Sequence, residues 1–346
     1  MRVFSPRAPV TANIIVVFLQ LFVIREQFPF ILLTYVGVNM SIALVITDRN
    51  VTTLYTRLTE RLPNVNIQCW PNISAPENVE FVVAWQAPDN IWQQFPKIKA
   101  ISSLGAGCDT LTKNPNIAAA TRIVRIVDIG LAEQMAEYVL ASILLVKRRF
   151  IDYFQQQQSH QWKTLKKIKG KKVTVLGIGK IGHHVATSLT ACGYNVTGWS
   201  QHQKQHNLYQ TFYGMEQLKQ AVNKADFIVV TLPLTSKTQQ ILSSSLFKAI
   251  DNQAWLINVG RGELLNEQDL LSALTNNYLA GAVLDVFSEE PLVSTHPFWQ
   301  HKNIIITPHI SAISDQAVIV EQIADNYERL QANRPLENVV NKEQEY

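Results

Sequence analysis

The chain predicts an α/β protein built from two doubly wound parallel-sheet domains joined by crossover helices. Three observations predict it. From Ser41 onward, short runs rich in Val and Ile alternate with helical stretches, as parallel sheets with helices on their faces require. Lys172–Gly182 (KVTVLGIGKIG) joins an apolar run to the spacing G-x-G-x-x-G, and Val185, Ala186 and Leu189 then recur at helical spacing. Leu131–Val146 (LAEQMAEYVLASILLV) reads as a long amphipathic-to-apolar helix. The basic and glutamine-rich stretch Lys147–Gln158 follows it, as suits a crossover that leaves one sheet for another.

In chain order, residues 1–39 come first. Asn13–Ile24 is apolar for only 12 residues, and Arg25-Glu26-Gln27 separates it from Phe28–Val38. Neither run reaches the roughly 20 residues that a membrane span needs. Arg2 and Arg7 precede the apolar stretch in the manner of a signal peptide, but no small-residue cleavage site stands out. Met40 directly precedes a good strand, so residues 1–39 are expected to be an extension outside the fold, with Met40 as the working start. Ile42–Ile46, Val65–Cys69, Phe81–Trp85, Ala100–Leu104 and Ile123–Ile126 then read as strands, with a helix at Thr52–Arg61. The second unit has six predicted strands: Val173–Leu176, Asn195–Trp199, Phe227–Thr231, Trp255–Val259, Ala282–Val286 and Ile304–Ile306. A last helical pattern, Asp315–Gln331, is expected to return to the first unit. The expected domains are therefore residues 40–145 with 310–346, and residues 146–309, with one cleft beneath the two crossovers.

Composition narrows the function. A chain of 346 residues with 47% hydrophobic and 17% charged residues suits two globular domains and excludes wholesale disorder. The net charge of +4 and the lack of a dense basic stripe argue against nucleic-acid binding; Lys163–Lys172 reads as a solvated linker. Cys69, Cys108 and Cys192 are odd in number and far apart, so neither a disulfide framework nor a metal site is expected, and a reducing cytoplasm fits.

Ligands of doubly wound folds sit outside the carboxyl ends of the strands, so those ends hold the candidate site residues. In the glycine turn, Gly177 makes the tight bend, Gly179 admits a pyrophosphate and Gly182 permits close helix packing; Lys180 and Ile181 complete this phosphate cradle. Ser200 stands where an NAD-preferring enzyme usually carries Asp or Glu. With Lys204 nearby, it argues for NADP(H), although the loop has no arginine and NAD(H) stays an alternative. Leu232, Pro233 and Val259 would form apolar walls beside the cofactor. Arg261, set between two glycines, is placed to reach an anion in the cleft. Asp285 lies near the end of an otherwise apolar strand, where a carboxylate needs a donor; a nicotinamide carboxamide would be one. Glu290 and His309 follow two further strands. Hydride transfer to a ketone places negative charge on its oxygen. A histidine can protonate that oxygen, a neighbouring carboxylate can orient the histidine, and an arginine can hold the substrate's carboxylate. The set predicts a 2-oxoacid reductase.

VLGIGKIG, INVGRG, GAVLDVFSEEPL and ITPHISA resemble the D-isomer-specific 2-hydroxyacid dehydrogenase family from Ser41 to about Pro335. The resemblance implies a flavodoxin-like substrate domain, a Rossmann dinucleotide-binding domain, a cytoplasmic homodimer, and Arg261, Glu290 and His309 as the catalytic set. It also implies carboxylate binding by the backbone of Ala106 and Gly107, with Cys108 beside them a packing residue. LGAGCDTL, GLAEQMAEYVL, RRFIDY and PFWQHKNIIITPHISA are similar to the family's glyoxylate/hydroxypyruvate reductase A group, whose small pocket is lined by a tryptophan matching Trp85. That likeness implies NADPH-dependent reduction of glyoxylate to glycolate and of hydroxypyruvate to D-glycerate. Gln201 departs from an arginine common in the group, and residues 1–39 have no counterpart. A bulkier 2-ketoacid such as phenylpyruvate, or a non-catalytic NAD(P)-sensing role, are the alternatives.

Overall fold

Runs of β-branched residues build two wholly parallel sheets. The computed structural model describes residues 41–250 and 253–345, so the expectation for residues 1–39 lies outside the described residues. The first sheet contains β1 (Ser41–Ile46), β2 (Asn66–Cys69), β3 (Val79–Trp85), β4 (Ala100–Ser103) and β5 (Arg122–Val124), in the order β2-β1-β3-β4-β5. All six residues of β1 are buried, which only a strand covered on both faces achieves.

The second sheet contains β6 (Lys172–Leu176), β7 (Asn195–Ser200), β8 (Gln210–Tyr213), β9 (Phe227–Val230), β10 (Ala254–Asn258), β11 (Leu279–Leu284) and β12 (Ile304–Ile306). Its order is β12-β11-β10-β9-β6-β7-β8. The direction of winding reverses between β6 and β9, and in the first sheet between β1 and β3. Both reversals open a crevice at the carboxyl ends of the strands.

The sequence reading expected six strands here; the seventh, β8, was missed. Gln-Thr-Phe-Tyr lies at the sheet edge with no residue fully buried, so the apolar signal of an interior strand is absent.

The principal helices are α1 (Thr52–Arg61), α2 (Ile129–Lys147), α3 (Phe150–Gln158), α4 (Lys180–Ala191), α5 (Gly214–Val222), α6 (Glu267–Thr275) and α7 (Gln316–Gln331). Asp128 caps α2 by accepting from the Gly130 N–H, and Asp315 caps α7 from Ala317. By length and composition α2 is apolar enough to cross a membrane. Its face of Met135, Val139, Ile143 and Val146 is instead built into one core with Val173, Val175 and Val185. At the far end of the chain, α7 packs against α1, and Ile319, Ile323 and Tyr327 join the core of the first sheet. Two helical connections thus cross between the sheets and leave their strand ends facing one cleft.

Candidate active site

The cleft has a volume of about 1050 Å³ and is lined from both sheets. From the first come Trp85, the last residue of β3, and Ala106 and Gly107, after β4. From the second come the glycine turn, Ser200, Lys204, Leu232, Pro233, Val259, Arg261, Glu290 and His309. Only Asp285, among the residues expected at the site, does not line it.

Gly177 has φ +102°, a left-handed bend that glycine adopts freely. A Cβ at Gly182 would lie 1.8 Å from the Gly177 carbonyl oxygen, so α4 packs against the turn only because Gly182 has none. Gly179 is the N-cap of α4 and offers no side-chain cap, and the space beside its Cα is open. The first N–H groups of α4 therefore face an open cradle suited to a phosphate group. At the end of β7, the Ser200 hydroxyl donates to the His202 carbonyl at 2.8 Å, and just beyond it the Lys204 ammonium donates to the Ile178 carbonyl at 3.1 Å. Gln201 Oε1 between them is buried without a hydrogen-bond partner. A cationic loop free of carboxylates, beside a glycine cradle, fits a dinucleotide that carries a ribose phosphate.

The chemical cluster lies at the ends of β10, β11 and β12. His309 Nδ1 is 2.8 Å from Glu290 Oε2, and Glu290 Oε1 accepts from the Phe287 N–H at 3.0 Å. Burial would raise the Glu290 carboxyl. The hydrogen bonds from His309 and Phe287, with the charges of His309 and Arg261, outweigh it and hold the group below its usual range. An ionised carboxylate can only accept, so Nδ1 carries the proton and Nε2 is the nitrogen left for a ligand.

His309 itself is left-handed, with φ +54°. Such backbone costs an L residue roughly 1–2 kcal/mol and persists only where neighbours impose it. Asp285 imposes it. Its carbonyl accepts from the His309 N–H at 2.8 Å, and its carboxylate accepts from Ile310 N–H at 2.9 Å, Ser311 N–H at 2.8 Å and the Thr307 hydroxyl at 2.5 Å. The Tyr138 hydroxyl of α2, 2.5 Å from Thr307 Oγ1, completes the chain of donors.

This corrects the reading of Asp285. The carboxylate is fully buried, and the donors it needs come from the protein, so it anchors the loop that presents His309. Tyr138 and Thr307 were missed because their partners lie 169 and 22 residues away, respectively, beyond any local pattern.

Arg261 crosses the cleft. Its Nε donates to Asp109 Oδ1 at 3.0 Å, and Nη1 donates to the Gly260 carbonyl at 2.7 Å. Asp109 was also missed, although it ends the glycine-rich loop already singled out. Trp85 stands over that loop, and a Cβ at Gly105 would lie 3.1 Å from its ring. Burial pushes the Cys108 thiol up to about 11, which leaves it a packing residue rather than a nucleophile.

Comparison with known proteins gives a consistent set of likenesses. The family model for "D-isomer specific 2-hydroxyacid dehydrogenase, NAD binding domain" matches residues 140–311. The chain is 37% identical over 291 residues to glyoxylate/hydroxypyruvate reductase A of Serratia proteamaculans, covering 82% of this chain and 92% of that one. It is 36% identical to the Yersinia enterocolitica protein of the same name, with 80% and 90% covered. Among solved structures, the NADPH-dependent glyoxylate/hydroxypyruvate reductase of Sinorhizobium meliloti in complex with NADP and sulfate superposes with a TM-score of 0.81. That pair is 28% identical, with 89% of this chain and all of the other covered. A D-isomer specific 2-hydroxyacid dehydrogenase from Xanthobacter autotrophicus in complex with NADPH and MES gives 0.82 at 27% identity, with the same coverage.

Proposed function

The chain belongs to the D-isomer-specific 2-hydroxyacid dehydrogenase family of oxidoreductases, and from that premise we propose that it reduces small 2-ketoacids with NADPH. The substrates in this reading are glyoxylate, reduced to glycolate, and hydroxypyruvate, reduced to D-glycerate. The observation that carries it is the junction of Arg261 with the Glu290–His309 pair in one cleft beside an open glycine cradle. The likeness to named glyoxylate/hydroxypyruvate reductases supports the substrate class, and NADP in two structural neighbours supports the cofactor.

Gly177, Gly179, Lys180, Ile181 and Gly182 would hold the diphosphate, Ser200 and Lys204 the ribose phosphate, and Leu232, Pro233 and Val259 the apolar faces. NAD(H) would fit the same cradle with less contact at Ser200 and Lys204. When bound, the cofactor supplies the hydride; the rest falls to the chain. Arg261 and the backbone N–H groups of Ala106 and Gly107 would hold the substrate carboxylate and turn its carbonyl toward His309. His309 would deliver a proton from Nε2 to the carbonyl oxygen while Glu290 fixes the ring through Nδ1. Trp85 would bound the pocket and favour small side chains.

Nicotinamide absorbance should show fast NADPH oxidation with glyoxylate and hydroxypyruvate, and slower oxidation with phenylpyruvate or with NADH. Preference for phenylpyruvate would overturn the substrate reading. Absence of turnover with NADPH bound would overturn the enzyme reading in favour of a sensor.

We also propose a homodimer formed through the nucleotide-binding side. Leu144, Phe150, Phe154 and the fully exposed Trp162 leave an apolar surface along α2, α3 and the segment after them, which supports this reading. Sedimentation should give twice the 39.1 kDa chain mass. The double substitution Phe154→Glu with Trp162→Glu should halve it; a wild-type monomer would sink the idea.

A further inference from the structure

The Arg261 guanidinium is gripped from the opposite side of the cleft. Asp109 follows the glycine-rich loop after β4 and opens a four-residue helical turn, Asp109–Thr112. Its Oδ1 takes the Arg261 Nε–H at 3.0 Å, and both side chains are largely sheltered, 18% and 26% exposed. On the other edge, Nη1 donates to the Gly260 carbonyl at 2.7 Å. A Cβ at Gly107 would lie 1.6 Å from Nη2, so the guanidinium occupies space that only glycine leaves open. A guanidinium has five N–H donors in a fixed plane. Two are spent on Asp109 and Gly260, and fixing those two fixes the direction of the other three.

We propose that Asp109 is a positioning residue for ketoacid reduction, holding Arg261 so that its remaining donors meet the substrate carboxylate and carbonyl. This rests on the reductase reading. Because Arg261 is flexible along its stem, losing the Asp109 acceptor leaves it free to swing toward Gly260 or solvent, and only the reactive geometry is lost. What matters is the acceptor on Nε, so an amide oxygen at the same position serves nearly as well.

Asp109→Ala and Asp109→Asn separate this role from a structural one when kcat and KM for glyoxylate are measured beside NADPH affinity. The alanine variant should lose roughly 10–100-fold in kcat, as removal of a charged hydrogen bond implies. The asparagine variant should stay within about threefold of wild type in kcat, since an amide oxygen keeps the Nε hydrogen bond. NADPH affinity should be unchanged in both. Wild-type kcat in Asp109→Ala would overturn the proposal. So would an asparagine variant as slow as alanine, since charge and not position would then be at work, or a matching loss of NADPH affinity, which would indicate general damage. A wild-type protein inactive on every ketoacid would overturn the reductase reading together with this one; an active wild type with an indifferent Asp109 overturns this one alone.

Discussion

His309→Gln should lower turnover of glyoxylate by roughly 10²–10⁴-fold, the usual contribution of a positioned general acid. That is about 3–5.5 kcal/mol of transition-state stabilisation. NADPH affinity, followed by the fluorescence of the reduced nicotinamide, should not change. Glutamine keeps an N–H that can still donate to Glu290, and Asp285 still anchors the loop, but a carboxamide is far too weak an acid to protonate the carbonyl oxygen. The side chain is 42% exposed, so its replacement leaves no cavity in the core. Glu290 bears on the pH dependence. Its carboxyl is held below the ordinary value, so it is ionised, and its pair with His309 in place, throughout the neutral range; the pair is lost only as pH falls through that depressed value. Turnover of His309→Gln within tenfold of wild type would remove His309 as the proton donor.

Much of this site could be read from the sequence because its residues sit at strand ends, where local pattern is strongest. Each β-branched run announces a strand, and the residue that follows announces a position in the cleft. Gly177, Ser200, Arg261 and His309 were found that way, and the structure brings all four to one cleft. The residues that hold the chemistry in place were harder to see. Asp109 meets Arg261 across 152 positions, and Tyr138 reaches Thr307 across 169. Such contacts depend on how two sheets face each other, which no periodicity encodes. Asp285 shows a different difficulty. Its burial was legible from the apolar run before it, but which donors satisfy it depended on a left-handed turn at a non-glycine residue, His309. Strand β8 was missed for want of hydrophobicity, since an edge strand can be held by its ladder with little burial.

Arg261→Ala should lower kcat/KM for ketoacids by roughly 10²–10³-fold, as loss of a charged donor to substrate does. Both parameters should suffer. KM should rise because the carboxylate loses its bidentate partner, and kcat should fall because the carbonyl is no longer polarised or aimed at His309. Arg261→Lys should fall between, since an ammonium restores the charge without the planar fork. The alanine variant also strips Asp109 of its cation, and a carboxylate that is 18% exposed then has to find water in its place. Modest thermal destabilisation should therefore accompany the kinetic loss in Arg261→Ala, and Arg261→Lys should reverse part of both. NADPH affinity should hardly move, because Arg261 touches Asp109 and Gly260 and not the glycine turn. A change confined to NADPH affinity would place Arg261 on the cofactor instead of the ketoacid, and the carboxylate would then have to be held by the Ala106–Gly107 backbone alone.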